Sequence, residues 1–306
     1  MNKIAVLLPC FNEELTIGKV IADFRRELPD ATVFVYDNNS NDRSVDIAKE
    51  AGAVVVAVPQ QGKGNVVRAM FRDIEADCYL LVDSDDTYPA EAARQLIQPI
   101  LDGSADLVCG DRLSTTYFDI NKRKFHNFGN ALVCKTIEIF FDRKVADVMT
   151  GYRAFSRRFV SNFPAVNCGF ELETEMTIWT LERRLNFLEI PINYRERPSG
   201  SISKLNTYKD GFRVIFTIFW AIREYRPLSF FNVLAAVALL TAIGLFIPVA
   251  IDFINMGEVP KFPTLIVAGC AAIAGIIMII CGLILHSINY HFSTLAEFNL
   301  RQFGKK

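Results

Sequence analysis

Asp83-Ser84-Asp85 follows directly on the apolar run Tyr79-Leu80-Leu81-Val82. Where a chain leaves an extended strand, carboxylates two residues apart can converge on one hard cation. Mg2+ is usually held by one or two carboxylates, with substrate phosphates and water completing its shell. The pattern points to a Mg2+ or Mn2+ site that grips a diphosphate, with Asp83 and Asp85 as ligands. The competing reading is that Asp85 or Asp86 caps the next helix. Other polar groups end other apolar runs. Pro9-Cys10-Phe11-Asn12-Glu13-Glu14 follows the first, Asp37-Asn38-Asn39-Ser40 the second, and Gln60-Gln61-Gly62-Lys63-Gly64-Asn65 the third. Asp37 stands where an acid can bind ribose or base hydroxyls, while Ser40 and Asn41 also suit a helix cap. Gly62-Lys63-Gly64 lets backbone approach a nucleotide beside a cation. It lacks the spacing of a P-loop, and the first turn lacks G-x-G-x-x-G, which argues against an ATPase and a nicotinamide enzyme.

Farther on, residues 147–153 gather an acid, a hydroxyl, a glycine and an arginine. Residues 195–204 are cationic, and Arg197 and Lys204 there suit a phosphate, one as a bidentate fork and the other as a point charge. As bare composition the same stretch fits an ordinary surface loop. His126, His286 and His291 have no metal-ligand spacing, and Trp179 and Trp220 read as core or interfacial residues.

Elements must bring these residues to one place. Strands expected at 4–8, 32–36, 53–58, 78–82 and 106–109 alternate with helices, one carrying Ile17, Val20, Ile21, Phe24 and Leu28 on one face and another running from Pro89 to about Leu101. This alternation predicts an α/β domain with a mainly parallel sheet, whose ligands bind at the carboxyl ends of the strands. Residues 227–251 and 262–296 contain no Asp, Glu, Lys or Arg. Each is long enough to cross a hydrocarbon core of about 30 Å, and spans are expected near 229–252 and 263–287. Arg213, Arg223 and Arg226 precede the first and Arg301, Lys305 and Lys306 follow the second. By the positive-inside rule the protein is a multi-pass protein of the cell membrane with both ends and the large N-terminal region in the cytoplasm. Residues 207–226 read either as a basic surface helix in the headgroup layer or as an ordinary packing helix. The 306-residue chain has 33 Lys and Arg against 34 Asp and Glu, so no basic surplus exists for nucleic acid. Seven cysteines without a C-x-x-C pair disfavour a disulfide framework or zinc site.

In order, Pro9–Glu13, Asp37–Ser40, Gly62–Gly64, Asp83–Asp85, residues 147–153 and residues 200–204 resemble the family 2 glycosyltransferases of GT-A fold, in their polyprenyl-phosphate branch. The resemblance covers about residues 1–205, and the paired apolar segments match the bactoprenol type. It implies a GT-A domain at 1–205, an amphipathic helix at 206–228, a two-helix anchor at 229–290 and a tail at 291–306. It implies that Pro9, Asn12, Glu13, Asp37 and Lys63 line the nucleotide pocket, that Asp83 and Asp85 serve the metal and sugar diphosphate, and that Thr87 stands where relatives provide another metal ligand. Arg112, Arg123, Asp147 and Arg153 would surround the reacting centre, with Asp147 orienting an arginine or the sugar and not serving as an obligatory base; Arg197, Ser203 and Lys204 would belong to an acceptor-side loop. Asn38 replaces a usual second acid, and no Q-x-x-R-W segment of the processive synthases is present. The activity implied is inverting transfer of one hexose, glucose or N-acetylglucosamine, from a nucleoside diphosphate such as UDP to undecaprenyl or another polyprenyl phosphate. A homo-oligomer is implied too. Competing expectations are a membrane-bound sugar nucleotidyltransferase and a non-catalytic nucleotide-sugar-binding membrane protein.

Overall fold

The computed structural model describes residues 2–115, 124–164, 172–198, 219–220 and 222–303, with backbone alone at 124–129, 293 and 296–303. The chain divides into two compact units, Met1–Phe216 with Asn299–Lys306, and Thr217–Phe298.

In the first unit the elements run β1 (Ile4–Cys10), α1 (Ile17–Glu27), β2 (Thr32–Asp37), α2 (Ser44–Glu50), β3 (Val54–Ala57), α3 (Lys63–Asp73), β4 (Cys78–Leu81), α4 (Ala93–Leu101), β5 (Leu107–Asp111), α5 (Lys124–Phe141), β6 (Arg153–Ser156), α6 (Arg157–Val160), α7 (Leu172–Glu182) and β7 (Phe187–Pro191). They build a seven-stranded sheet in the order β3-β2-β1-β4-β6-β5-β7. Ile17, Val20, Ile21 and Phe24 are the buried face of α1. They pack with alternate residues of the central strands, Val6 and Leu8 of β1 and Leu80 of β4, and with Leu96, Ile97 and Ile100 of α4. A second core is aromatic: Phe71 of α3 meets Tyr79, Phe155, Phe159 and Phe163 edge-on, and Trp179 of α7 closes on Phe159 and Phe163. Trp179 is therefore a core residue.

Strand limits differ from expectation at the ends that matter. β1 and β2 extend to Cys10 and Asp37 because their parallel ladder continues through Pro9↔Tyr36 and Cys10↔Asp37. Pro9 is tolerated in this central strand because the ladder with β4 already ends at Leu7↔Leu81, so no partner there needs its missing N–H. The sheet is not wholly parallel. β6, which the sequence pattern does not announce, runs antiparallel to both β4 and β5, with Leu81↔Arg153 and Cys109↔Arg153 in register. β7 then runs parallel to β5 with Asp111↔Pro191. The reversal has one consequence for chemistry. The carboxyl ends of β1, β2, β3, β4, β5 and β7 and the amino end of β6 all lie at the same edge of the sheet.

The second unit holds α8 (Pro227–Met256) and, as far as Phe298, α9 (Phe262–Phe303). Pro227 opens α8, and Gly257 closes it in the left-handed conformation at φ 71°. Both helices are long and apolar enough to cross a membrane, and only 17% of each apolar window is buried, unlike a core helix of a soluble domain. The expected spans lie inside them. Their shared seam uses small residues seven apart: Ala235, Ala242 and Val249 on α8 face burial with Ala268, Gly275 and Gly282 on α9. A Cβ at Gly275 would come within 2.8 Å of Leu239 and one at Gly282 within 3.0 Å of Phe231. Glycine there permits close helix contact, as in membrane helix pairs. Of the expected juxtamembrane helix, Phe219–Trp220 and residues 222–225 are helical, with Arg223 over the Trp220 ring; residues 207–218 lie outside the described residues.

Candidate active site

The loops at that single edge are tied to one another by short polar side chains. The β1 loop is anchored on the β2 loop: Asn12 N–H donates to Ser40 Oγ, Glu13 N–H to Ser44 Oγ, and Asn41 N–H to Asn12 Oδ1. Thr16 Oγ1 donates to the Ser84 carbonyl and Ser84 Oγ to the Pro9 carbonyl, which locks the β4 loop to the β1 loop. Asn12, Asn39 and Asp86 all hold positive φ, at 52°, 65° and 58°. Asn and Asp are the side chains that tolerate this conformation best after glycine. Asn38 donates to the Val58 and Gln60 carbonyls and accepts from Gly62 N–H, so it pins the turn that precedes Lys63. Both ends of its side-chain amide are engaged by backbone, so an amide has a structural use at this position.

Asp37 is buried at the end of β2. Its Oδ2 accepts from Ser40 N–H, whereas its Oδ1 has no hydrogen-bond partner. An orphaned buried oxygen at a strand end is an acceptor ready for a ligand hydroxyl.

Asp83 and Asp85 each meet a cation. Lys63 Nζ donates to Asp83 Oδ1 at 2.6 Å, and Arg197 pairs with Asp85 Oδ2. Burial raises the Asp83 carboxyl, but Lys63, Arg112 and Arg197 outweigh it and hold the group below the usual carboxylate range. Burial and the neighbouring Asp83 charge push Asp85 the other way, against the pull of Arg197. Two carboxylates so close, driven apart in acidity, mark a site rather than a surface pair. Among the described residues no group of three or more His, Cys, Asp or Glu side chains could hold a metal. A divalent ion would thus draw at most two carboxylates from the described chain. That fits Mg2+ or Mn2+ completed by substrate phosphate and water, not a closed protein cage.

The 147–153 segment reaches the same site from β6. A Cβ at Gly151 would fall within 2.8 Å of Asp83 Cγ, so only glycine lets this turn lie against the carboxylate. Its N–H donates to Tyr88 Oη. One expectation needs correction here, and a second is narrowed. Arg153 is wholly buried, and its guanidinium donates to the Thr150 and Val148 carbonyls and to Thr177 Oγ1. It clamps the turn and does not face a reacting centre. Asp147 is also wholly buried, locked bidentate to Arg112 at 2.7 and 3.0 Å, with Met149 N–H donating to it as well. It positions Arg112 and is closed to a substrate proton. Thr87 donates its hydroxyl and its N–H to Asp85 Oδ1, so it holds that carboxylate in place. Arg112, with its guanidinium over the Tyr194 ring, and Arg197 join Lys63 as cations at this edge. The segment carrying Arg197 is fixed by Arg195 N–H donating to the Thr87 carbonyl and by the Arg195–Glu91 ion pair. Arg123, Ser203 and Lys204, like the side chain of His126, lie outside what the structure describes.

Glu173, in the first turn of α7, is the main site residue absent from the sequence reading. It accepts from Lys63 Nζ at 2.6 Å. Asp83 and Glu173 together keep Lys63 protonated, although burial alone would lower its pKa. The acids Glu171, Glu173 and Glu175 alternating within an otherwise uncharged stretch were the signal available. Four thiols, Cys10, Cys78, Cys109 and Cys134, are pushed up to about 12 by burial and are poor nucleophiles.

Similarity to known proteins agrees with this geometry. Glycosyltransferase AglJ of Haloferax volcanii is 31% identical over 254 residues, 83% of either chain. Dolichyl-phosphate hexose transferase of the same organism is 32% identical over 211 residues, covering 69% of this chain and 90% of its own. Among solved structures, glucosyl-3-phosphoglycerate synthase from Mycobacterium tuberculosis, with Mn2+, UDP and phosphoglyceric acid, superposes with a TM-score of 0.59 at 22% identity, covering 72% of this chain and 78% of that one. That likeness identifies the fold as GT-A-like. Residues 5–163 match the family described as "Glycosyl transferase family 2". A match over more than half of the chain, joined to relatives aligned along most of it, means that this chain belongs to glycosyl transferase family 2.

Proposed function

We propose that this glycosyltransferase moves a hexose, glucose or N-acetylglucosamine, from UDP to undecaprenyl or another polyprenyl phosphate at the cytoplasmic face of the cell membrane. The observation that carries this reading is the meeting, at one sheet edge, of Asp83, Asp85 and the orphaned oxygen of Asp37 with Lys63, Arg112 and Arg197. Acids for a cation and a ribose stand beside cations for two sets of phosphates. A relative named for dolichyl-phosphate hexose transfer and a structural neighbour holding Mn2+ and UDP support the choice of acceptor, donor and ion.

Asp37 accepts a ribose hydroxyl, with Pro9, Asn12 and Glu13 framing the base. Asp83 and Asp85 hold Mg2+ or Mn2+, which when bound offsets the charge growing on the leaving diphosphate. Lys63 lies against the same diphosphate. Arg112, fixed by Asp147, and Arg197 hold the acceptor phosphate in line with the anomeric carbon, assisted by Arg123, Ser203 and Lys204. An acceptor oxygen forms the new bond to that carbon as the bond to the diphosphate oxygen breaks, its electron pair leaving with UDP, and the configuration inverts. A phosphomonoester with a second pKa of about 6 is mostly dianionic at neutral pH, so no general base is required. This agrees with the closed state of Asp147. The organisation that serves this reaction is a catalytic domain at 1–205, a juxtamembrane helix at 206–228, an anchor at 229–290 and a tail at 291–306. Both termini are cytoplasmic, and copies associate as a homo-oligomer. An acceptor whose tail stays in the bilayer needs an enzyme held at the headgroup plane.

The test uses full-length protein in detergent with Mn2+, undecaprenyl phosphate and a panel of labelled nucleotide sugars. Label is expected in the organic phase, with one UDP released per transfer. Asp85→Asn should lower the rate by about 10²–10³. Full transfer by Asp85→Asn overturns the metal assignment. Pyrophosphate release from a nucleoside triphosphate and a sugar phosphate, or tight donor binding without transfer, overturns the proposed reaction.

A further inference from the structure

Glu173 is buried, 4% exposed, and projects from α7 onto the far side of Lys63. The Lys63 ammonium lies between two carboxylates at 2.6 Å each, Asp83 and Glu173. The two differ in surroundings. The Asp83 side chain is 31% exposed and Glu173 only 5%, so Asp83 is the outer partner and Glu173 the inner one. The Oε2 of Glu173 is buried with no hydrogen-bond partner. A buried carboxylate left half-bonded is costly. Packing alone would be served as well by a neutral side chain, so its charge has a use at this place.

That use follows from what Asp83 must do. A carboxylate that binds a divalent ion cannot also keep a full ion pair with an ammonium, because the two cations repel at contact distance. If Asp83 were the only partner of Lys63, ion and ammonium would compete for it. The loser would be the ion, or else the lysine would swing out of the pocket. A second, inner carboxylate removes the competition: the ammonium keeps a counter-charge of its own when Asp83 is engaged.

We propose that Glu173 is a positioning residue that retains the Lys63 ammonium beside the donor diphosphate while Asp83 is taken by the divalent ion. This rests on the reading of the edge as a nucleoside-diphosphate-sugar site. Glu173 acts through Lys63, touches no substrate, and matters only when the ion is present.

Titration calorimetry of the full-length protein with UDP, in Mn2+ and in EDTA, tests both levels separately. Wild-type protein should bind UDP more tightly in Mn2+; failure to bind in either condition overturns the functional reading, and this inference with it. Given that binding, Glu173→Gln should raise the Kd in Mn2+ about ten-fold, the order found for groups that orient ligands at metal sites. In EDTA its Kd should stay close to wild type. Lys63→Met should produce a similar loss in Mn2+, and the double variant should lose no more than either single change, because one residue works through the other. Unchanged affinity of a folded Glu173→Gln, an equal loss with and without Mn2+, or losses that multiply in the double variant overturn the proposal. Should Glu173→Gln not fold, Glu173→Asp replaces it: the shorter acid draws the ammonium back and should weaken binding in Mn2+ alone, and an unchanged Kd or an equal loss in both conditions is the contrary result.

Discussion

Arg153 and Asp147 show how the same charge has opposite uses depending on what surrounds it. Arg153 is wholly buried, and its three bonded partners are neutral oxygens of the turn it follows and of Thr177. It closes the backbone of residues 148–150 as a capping group closes a helix end. Arg153→Met would leave the Val148 and Thr150 carbonyls unbonded, each at a cost of about 1–3 kcal/mol. We expect a loss of about 2–5 kcal/mol in urea unfolding, with Arg153→Lys recovering little, since an ammonium cannot reproduce the planar fork. UDP affinity of the protein that remains folded should be near wild type. Full stability of Arg153→Met combined with loss of acceptor use would restore Arg153 to the reacting centre. Asp147 has its role through Arg112: a bidentate pair fixes the guanidinium plane, and a fixed plane is what a phosphate needs.

The turn between α5 and β6 is the element on which the site depends most. It is held from three sides: by Arg153 beneath, by Glu189 of β7 accepting from the Ala146 and Asp147 N–H groups, and by Tyr88 accepting from Gly151 N–H. Held there, Gly151 lies against Asp83 so closely that any side chain must displace one of them. Gly151→Ala is therefore expected to weaken Mn2+ binding at least about ten-fold, measured by the relaxation of water protons. The atoms nearest to a Cβ at Gly151 belong to Asp83 and not to the aromatic core of Phe155, Phe159 and Trp179, so the change in melting temperature should be small beside that loss. Wild-type Mn2+ affinity in Gly151→Ala would show that the turn and the carboxylate are not coupled. The left-handed residues Asn12, Asn39 and Asp86 follow the same logic, since local conformational cost concentrates where loops must bend sharply towards a ligand.

For the first unit as a whole, the site is a set of opposed charges whose balance affects folding. The folded pKa of Asp83 lies below its unfolded value of about 3.9. Its contribution to stability is therefore present above about pH 4 and is lost as pH falls through the lowered folded value. Lys63 is the chief source of that depression. Wild-type protein should accordingly lose melting temperature on acidification below pH 4, and Lys63→Met should show a flatter or reversed slope between pH 3 and 5. An identical slope in both proteins would mean that the Asp83–Lys63 pair is not formed in solution. In the second unit, balance comes from packing: the small-residue seam of α8 and α9 brings two apolar helices together, and their outer faces carry exposed Val, Leu, Ile and Phe.

Local pattern was sufficient for the parallel half of the sheet, because each strand there is a continuous apolar run followed by a polar turn and an amphipathic helix, and each step has a period readable over ten residues. It was sufficient for α8 and α9 as well, since charge-free length depends only on composition, and for the placement of Asp37, Asp83, Asp85 and Lys63 at one sheet edge, since they end or follow those runs. What tertiary structure decided was every property set by residues distant in the chain. The antiparallel insertion of β6 has no local mark, yet it brings residues 147–153 and 192–197 to the same edge as Asp83. Whether an arginine meets a substrate or a carbonyl depends on burial, which spacing does not encode; hence Arg153 and Asp147 turned inward. Glu173 lies 110 positions from Lys63 and becomes its partner only when the fold brings the first turns of α7 and α3 together. Sequence specifies which groups can do chemistry. Chain crossing and burial specify which of them face one another, because a charge takes its role from the dielectric and partners around it.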